Sequence, residues 1–310
     1  MVPSHKNGGE FPNRQHLRSY SWPPLPDTKE KPVWTGRGFR VAECSVPVLF
    51  YETANSGWTD DLTAFHEEKA GATHSIDVAS REYALYQLKR FASSPAPIIL
   101  EAGCSSGFFL RLLVQSMPEA LLIGSDYVPG PLLQLAQDLP DLPLLQFDLT
   151  RCPLPNQSLD GIVLLNVLEH IRDDSAAMAQ VFRILKPGGI AVIEVPAGPH
   201  LYDSYDKLLM HERRYSFGQL KKLVLDAGFE ILTHSHLGFF LFPGFWWVKR
   251  RNRKYLAEEE TILREIVAKN IGSTKESRLI KAVLRMELAL GRWVAYPFGI
   301  RCLLTCQRTS

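Results

Sequence analysis

Residues 98–110 read IILEAGCSSGFFL. An apolar run closes on an acid, Glu101, and the next turn carries Gly103 and Gly107 around a cysteine and two serines. A loop of small residues leading into a helix lets a ligand approach backbone N–H groups. Two familiar versions of such a loop are excluded by the letters. A nucleotide-hydrolase phosphate loop needs a lysine where Phe108 and Phe109 stand, and a dinucleotide loop needs a glycine where Ser105 stands. An acid, Asp126, still ends the next apolar run, about 20 residues on, where both its oxygens could meet a ribose hydroxyl pair. The residues therefore favour a ribose binder without a pyrophosphate loop. An amino-acid-bearing adenosine fits that description. Its carboxylate would meet the loop and its ribose Asp126; Asp148 and Leu149 would take the adenine amine and ring face.

Outward from this stretch the chain keeps a regular rhythm. Helical spacing of apolar residues covers 75–93, and strands are expected at 98–102, 121–126, 143–147, 161–166 and 190–196. Helices at 107–117, 129–139 and 175–185 separate them, the last ending at KPGG, read as a turn. Short apolar runs joined by helical crossovers signal an α/β chain with a mostly parallel sheet covered on both faces. Ligands of such sheets gather at the C-terminal strand ends. Glu101, Asp126 and Asp148 fall there in order, followed by Asn166 with Glu169 and His170.

Composition narrows the function classes. The 310 residues are 45% apolar, enough for a large core, and the net charge of +2 gives no bulk electrostatic case for nucleic acid. Cysteines 44, 104, 152, 302 and 306 lie scattered, with neither metal-ligand spacing nor a paired framework, which suits a reducing compartment. No metal is expected. The start, MVPSHKNGG, has no apolar signal core, and LGFFLFPGFWWV at 237–248 is too short to span a bilayer as a helix. A cytoplasmic protein, at most membrane-associated, is expected.

EAGCSSG (101–107), IGSD (123–126), FDLTRCPLPNQSLDGIVLLNVLEHI (147–171) and RILKPGGIAVIEVP (183–196) together resemble a class I S-adenosylmethionine-dependent methyltransferase. The resemblance is to the broad group that includes ubiquinone and menaquinone methyltransferases. It covers about 100 residues in the right order and spacing; HERRYSFGQLKKLVLDAGFEI (211–231) extends it more weakly. It implies a Rossmann-like, seven-stranded, mostly parallel sheet with helices on both faces and S-adenosylmethionine as cofactor. It also implies that Glu101, Gly103 and Cys104 border the methionine moiety and that Gly107 keeps the loop tight. Asp126 with Tyr127 would hold the ribose, Asp148 with Leu149 the adenine, and Asn166 would lie at the sulfonium end. Ser105 departs from the family, which usually has glycine there.

Methyl transfer from a sulfonium needs alignment and exclusion of water, and a base only for an acceptor that must lose a proton. His170 and His211 are the candidate bases. Tyr202, Tyr205, Arg213 and Tyr215 lie in or just after a loop expected to overhang the site and are the candidate substrate contacts. A charged helix face is the plainer reading of HERRY.

Strands are also expected at 232–240 and 299–308, as an antiparallel pair edging the sheet, yet some 58 residues separate them. This insert opens with FLFPGFWWV, runs into KRRNRK and then forms two helical stretches. Contact with an anionic membrane, a lid over a hydrophobic acceptor pocket, and a homodimer face all suit it, and they are not exclusive. The expected organisation is an irregular arm or cap over 1–74, a cofactor-binding domain over 75–240 and 296–310, and a helical insert or lid over 241–295. NVLEH stands where relatives that methylate base nitrogens carry an NPPY-type tetrad, so no nucleic-acid partner is expected. Two functions remain: methyl transfer on oxygen or carbon to a small or amphipathic metabolite, lipid-linked ones included, or a non-catalytic scaffold or partner subunit of the same fold. The intact acids favour the first.

Overall fold

The structure, a computed structural model, describes residues 17, 19–26, 28–52, 61, 71–275 and 277–309. Much of the expected N-terminal arm (1–16, 18, 27, 53–60 and 62–70) lies outside the described residues. Strands β1 (Val33–Trp34), β2 (Phe39–Val41) and β3 (Cys44–Val46) form a small antiparallel sheet, and β4 (Leu49–Phe50) leaves it for the main sheet. There follow α1 (Ser75–Phe91), β5 (Ile98–Ala102), α2 (Phe108–Ser116), β6 (Leu121–Asp126), α3 (Pro129–Asp138) and β7 (Leu144–Gln146). Then come β8 (Leu159–Leu165), α4 (Asp174–Ile184), β9 (Leu185–Pro196), α5 (Ser204–Leu208), α6 (Phe217–Asp226) and β10 (Phe229–Leu237). Helices α7 (Phe242–Asn252), α8 (Glu260–Lys275) and α9 (Arg278–Leu290) precede the last strand, β11 (Arg301–Arg308).

The main sheet has the order β10-β11-β9-β8-β5-β6-β7-β4. Pairing is parallel from β4 through β9, and β11 runs against both β9 and β10. The sheet thus has eight strands, not the seven expected. The eighth is β4, whose Leu49 and Phe50 pair with Leu145 and Gln146. A two-residue pairing supplies too little periodicity for sequence to assign it a place in a sheet.

Successive residues of the central strands serve opposite faces. Ile99, Leu122, Val163 and Val192 pack with α1, α2 and α3, while Leu100, Ile123, Ile162 and Ile193 pack with α4 and α6. Trp22, Trp34 and Phe39 are fully buried in the second of these cores, so the described part of the N-terminal region covers the sheet. Local signals fix the helix starts. Pro129 opens α3, the Asp173 carboxylate accepts from Ala176 N, and Ser216 and Gln219 form a reciprocal capping box on α6. The parallel strands β5 to β9 thus bring the loops that follow them to one end of the sheet.

Candidate active site

The loop from β5 to α2 answers the question raised by its glycines. Gly103 and Gly107 have φ of +76° and +71°, and a Cβ on either would lie 2.5 Å from Val167 Cγ2 or Leu135 Cδ1. The protein's own side chains are what come so close. The N–H groups of Gly103 and Cys104 both donate to Ser125 O, at 2.8 and 2.9 Å, and Gly107 N donates to Cys104 O. These three donors are satisfied inside the protein. Ser105 stands at φ +45°. There a glycine would be relaxed, and serine carries a strain of about 1 kcal/mol.

Asp126 ties the loop to β6. Its Oδ2 accepts from Ser105 N at 2.8 Å and its Oδ1 from Val128 N at 3.0 Å, while the carboxylate remains part-exposed. Tyr127 is held through its carbonyl, which accepts from Gln146 Nε2. Asp148 caps a short turn, its Oδ1 accepting from both N and Oγ1 of Thr150 at 2.8 Å, and Leu149 beside it is buried. Glu101 is buried with Oε2 unpartnered among the described residues. Burial raises its carboxyl well above the usual range, although Arg81 draws it back in part. Asn166, at φ +57°, donates through Nδ2 to Glu194 Oε1 at 3.2 Å and keeps a buried Oδ1 without a partner among the described residues. A buried carboxyl at Glu101 and an orphan acceptor at Asn166 suit an ammonium and a sulfonium. The part-exposed acids at Asp126 and Asp148 suit ribose hydroxyls and an exocyclic amine. The residues present fit S-adenosylmethionine.

Beyond β8 the site is made of titratable groups. Glu169 is fully buried, and neither of its carboxyl oxygens has a partner among the described residues. Burial pushes it up to about 8. The rings of His170 and His211 meet edge to face with centroids 4.8 Å apart. One atom each of Glu169, His170 and His211 lies within 4.8 Å of the others, so these residues could hold a divalent cation. Two metal bonds of about 2.1 Å span about 4.2 Å at most, so a cation here would draw the widest pair inward.

His211 is the better oriented of the two imidazoles. Its Nδ1 lies 2.8 Å from Asp206 Oδ1, which also accepts from Arg214 Nη1 at 2.8 Å. Lys249 Nζ donates to Asp203 Oδ1 and Asp206 Oδ2, at 2.7 and 2.8 Å. Burial alone would raise the Asp206 carboxyl, but Lys249, the His211 hydrogen bond and Arg214 outweigh it and hold it well below its usual range. Burial lowers the His211 imidazole. A neutral ring that donates Nδ1–H to a charged carboxylate presents a basic Nε2.

The expected substrate contacts divide. Tyr202 donates to His211 O at 2.8 Å, and the Tyr205 ring lies 5.0 Å beneath Lys249 Nζ, so both line the histidine end. Arg213 and Tyr215 instead meet Asp174, Arg213 through an ion pair at 2.7 Å and the Tyr215 hydroxyl through a hydrogen bond of the same length. They fasten the 211–215 segment to α4. Sequence reasoning missed Asp206, Glu194 and Lys249. The repeat of Asp203 and Asp206 at capping-box spacing was a usable signal for the first, but nothing in KRRNRK marks Lys249 as the residue that turns inward.

This strand order, with acids at the strand ends, can be set beside known proteins. Residues 100–193 match the family model described as a methyltransferase domain. It is 30% identical over 135 residues to a probable S-adenosylmethionine-dependent methyltransferase of Mycolicibacterium smegmatis, covering 43% of this chain and 52% of that one. It is 30% identical over 125 residues to the trans-aconitate 2-methyltransferase of Azoarcus sp. strain BH72, covering 40% and 48%. The chain thus spans about half the length of these relatives. A methyltransferase structure from Galdieria sulphuraria shares the fold, with a TM-score of 0.53 at 16% identity over 81% of this chain and 99% of that one.

Proposed function

We propose that the protein is an S-adenosylmethionine-dependent methyltransferase acting on a small or amphipathic acceptor. The observation that carries the reading is Asp126, fixed by two backbone N–H groups at the exit of β6 beside the Gly103–Gly107 loop. When bound, the cofactor would supply an electrophilic methyl group on a sulfonium. Asp126 would bind its ribose, Asp148 its adenine amine, and Glu101 its ammonium. Asn166 would lie at the sulfonium end. The chain's remaining task is to align the acceptor, keep water out and take a proton where one must leave.

Methylation on oxygen is the form the histidine end supports. A hydroxyl acceptor would pass its proton to His211 Nε2, and the imidazolium formed would be stabilised by Asp206. One relative is named a trans-aconitate 2-methyltransferase, which supports a small-molecule acceptor. The test is release of S-adenosylhomocysteine with phenolic, carboxylate and lipid-linked hydroxyl acceptors. Turnover on a hydroxyl acceptor that rises with pH through a single ionisation supports the reading. Tight cofactor binding without turnover on any acceptor would favour a non-catalytic scaffold instead.

A further inference from the structure

Helix α7 is amphipathic in the reverse sense. Its inward face carries Lys249, 4% exposed, and Asn252, while Trp246 and Trp247, the latter 57% exposed, point outward with Arg250 and Arg251. The guanidinium groups of Arg250 and Arg251 lie 5.4 and 5.0 Å over the rings of Trp246 and Trp247. The apolar surface continues past the helix. Phe298 packs 5.1 Å from Phe242 and 4.8 Å from Phe239, and Phe239 lies 5.1 Å from Phe240. Phe240 and Phe298 are themselves exposed, and Trp293, at the start of the same segment, is 88% exposed. Isolated exposed aromatics need no explanation, but a contiguous set marks a surface that is covered in use.

We infer that α7 and the 293–298 segment form a docking face for an anionic phospholipid bilayer. Charge selects this occupant. From Ile231 to Ala257 the chain contains no acid, and it contains none after Glu287, while Arg250, Arg251, Arg253, Lys254 and Arg292 are all exposed. Tryptophan at the headgroup level beside arginine and lysine is the pattern that an anionic interface attracts. A second copy would place this cationic face against itself across a two-fold axis, and like charges would oppose the contact. No helix among the described residues is long and apolar enough to cross a membrane, so the contact is with the surface. On its other side α7 sends Lys249 to Asp203 and Asp206, the groups that orient His211. If the methyltransferase reading holds, the bilayer would lie one helix thickness from the acceptor end, where an amphipathic acceptor could be drawn from it.

The test is sedimentation of the full chain with phosphatidylcholine vesicles, with and without phosphatidylglycerol, while following tryptophan emission. Expected is binding at least about tenfold stronger to the anionic vesicles, with a blue shift in emission. W247A/W293A and R250E/R251E should each lose that binding while keeping the unfolding midpoint, since they alter exposed side chains. Absence of vesicle binding, or binding undiminished in both variants, would overturn the proposal. A micromolar dimer abolished by the same substitutions would assign the face to a second copy and overturn it too. Cofactor affinity measured on the same samples reports on the methyltransferase reading alone, so either claim can fail without the other.

Discussion

Glu169 carries a carboxyl that burial pushes up to about 8 from 4.5. In metal-free buffer the folded protein keeps this proton to about pH 8, whereas the unfolded chain releases it near 4.5. The contribution to stability is therefore complete below 4.5 and drains away as pH rises to about 8. E169Q removes the ionisation. Its unfolding free energy should gain on the wild type across that window by an amount on the order of 5 kcal/mol, read from denaturant melts at several pH values. A constant difference would show that Glu169 is solvated or paired in solution. The neighbouring His211 makes a kinetic prediction. With a hydroxyl acceptor, H211N should lower kcat by about 10²–10⁴ and leave S-adenosylmethionine affinity unchanged. An unchanged kcat would point to an acceptor that needs no base.

At the scale of the element, the loop after β5 and the helix α7 differ in how much the sequence disclosed. The loop was legible because parallel strands buried on both faces read as apolar runs, and glycine spacing and terminal acids mark their exits. What closes on its glycines was not legible, since Val167 and Leu135 arrive from other elements. G103A should destabilise the fold by about 2–3 kcal/mol. Adding V167A should recover only part of the loss, because the φ of +76° remains. Full recovery would mean that the contact alone matters. Helix α7 escaped prediction because Pro243 and a run of aromatics and arginines hide its period, although proline suits a first turn. The inward turn of Lys249 depends wholly on Asp203 and Asp206 lying beneath it. K249A should therefore cost about 3–5 kcal/mol, leaving buried carboxylates uncompensated, while R250A should be nearly neutral. Thermal unfolding of the two variants separates a buried cation from a basic run that is solvated throughout.

At the scale of the whole molecule, the loops of the eight-stranded main sheet hold two sets of side chains near one another. One is a row of acids suited to a nucleoside cofactor, and the other a histidine end held by a buried charge network. Fold class and the row of acids were legible together, because Glu101, Asp126 and Asp148 recur at successive strand exits. The network of Asp206, His211, Arg214 and Lys249 was not, because it joins segments up to 43 residues apart that sequence periodicity does not connect. The proposed docking face lies on the opposite side of α7 from this network, so one helix carries both the exposed tryptophans and the buried Lys249. The methyltransferase reading depends on the row of acids binding what its chemistry suits. Calorimetric titration of the intact protein and of D126A with S-adenosylmethionine tests that most directly. Micromolar binding by the intact protein, weakened at least about tenfold in a D126A variant that still folds, is the predicted result. No binding by the intact protein, or equal binding by both, would contradict it.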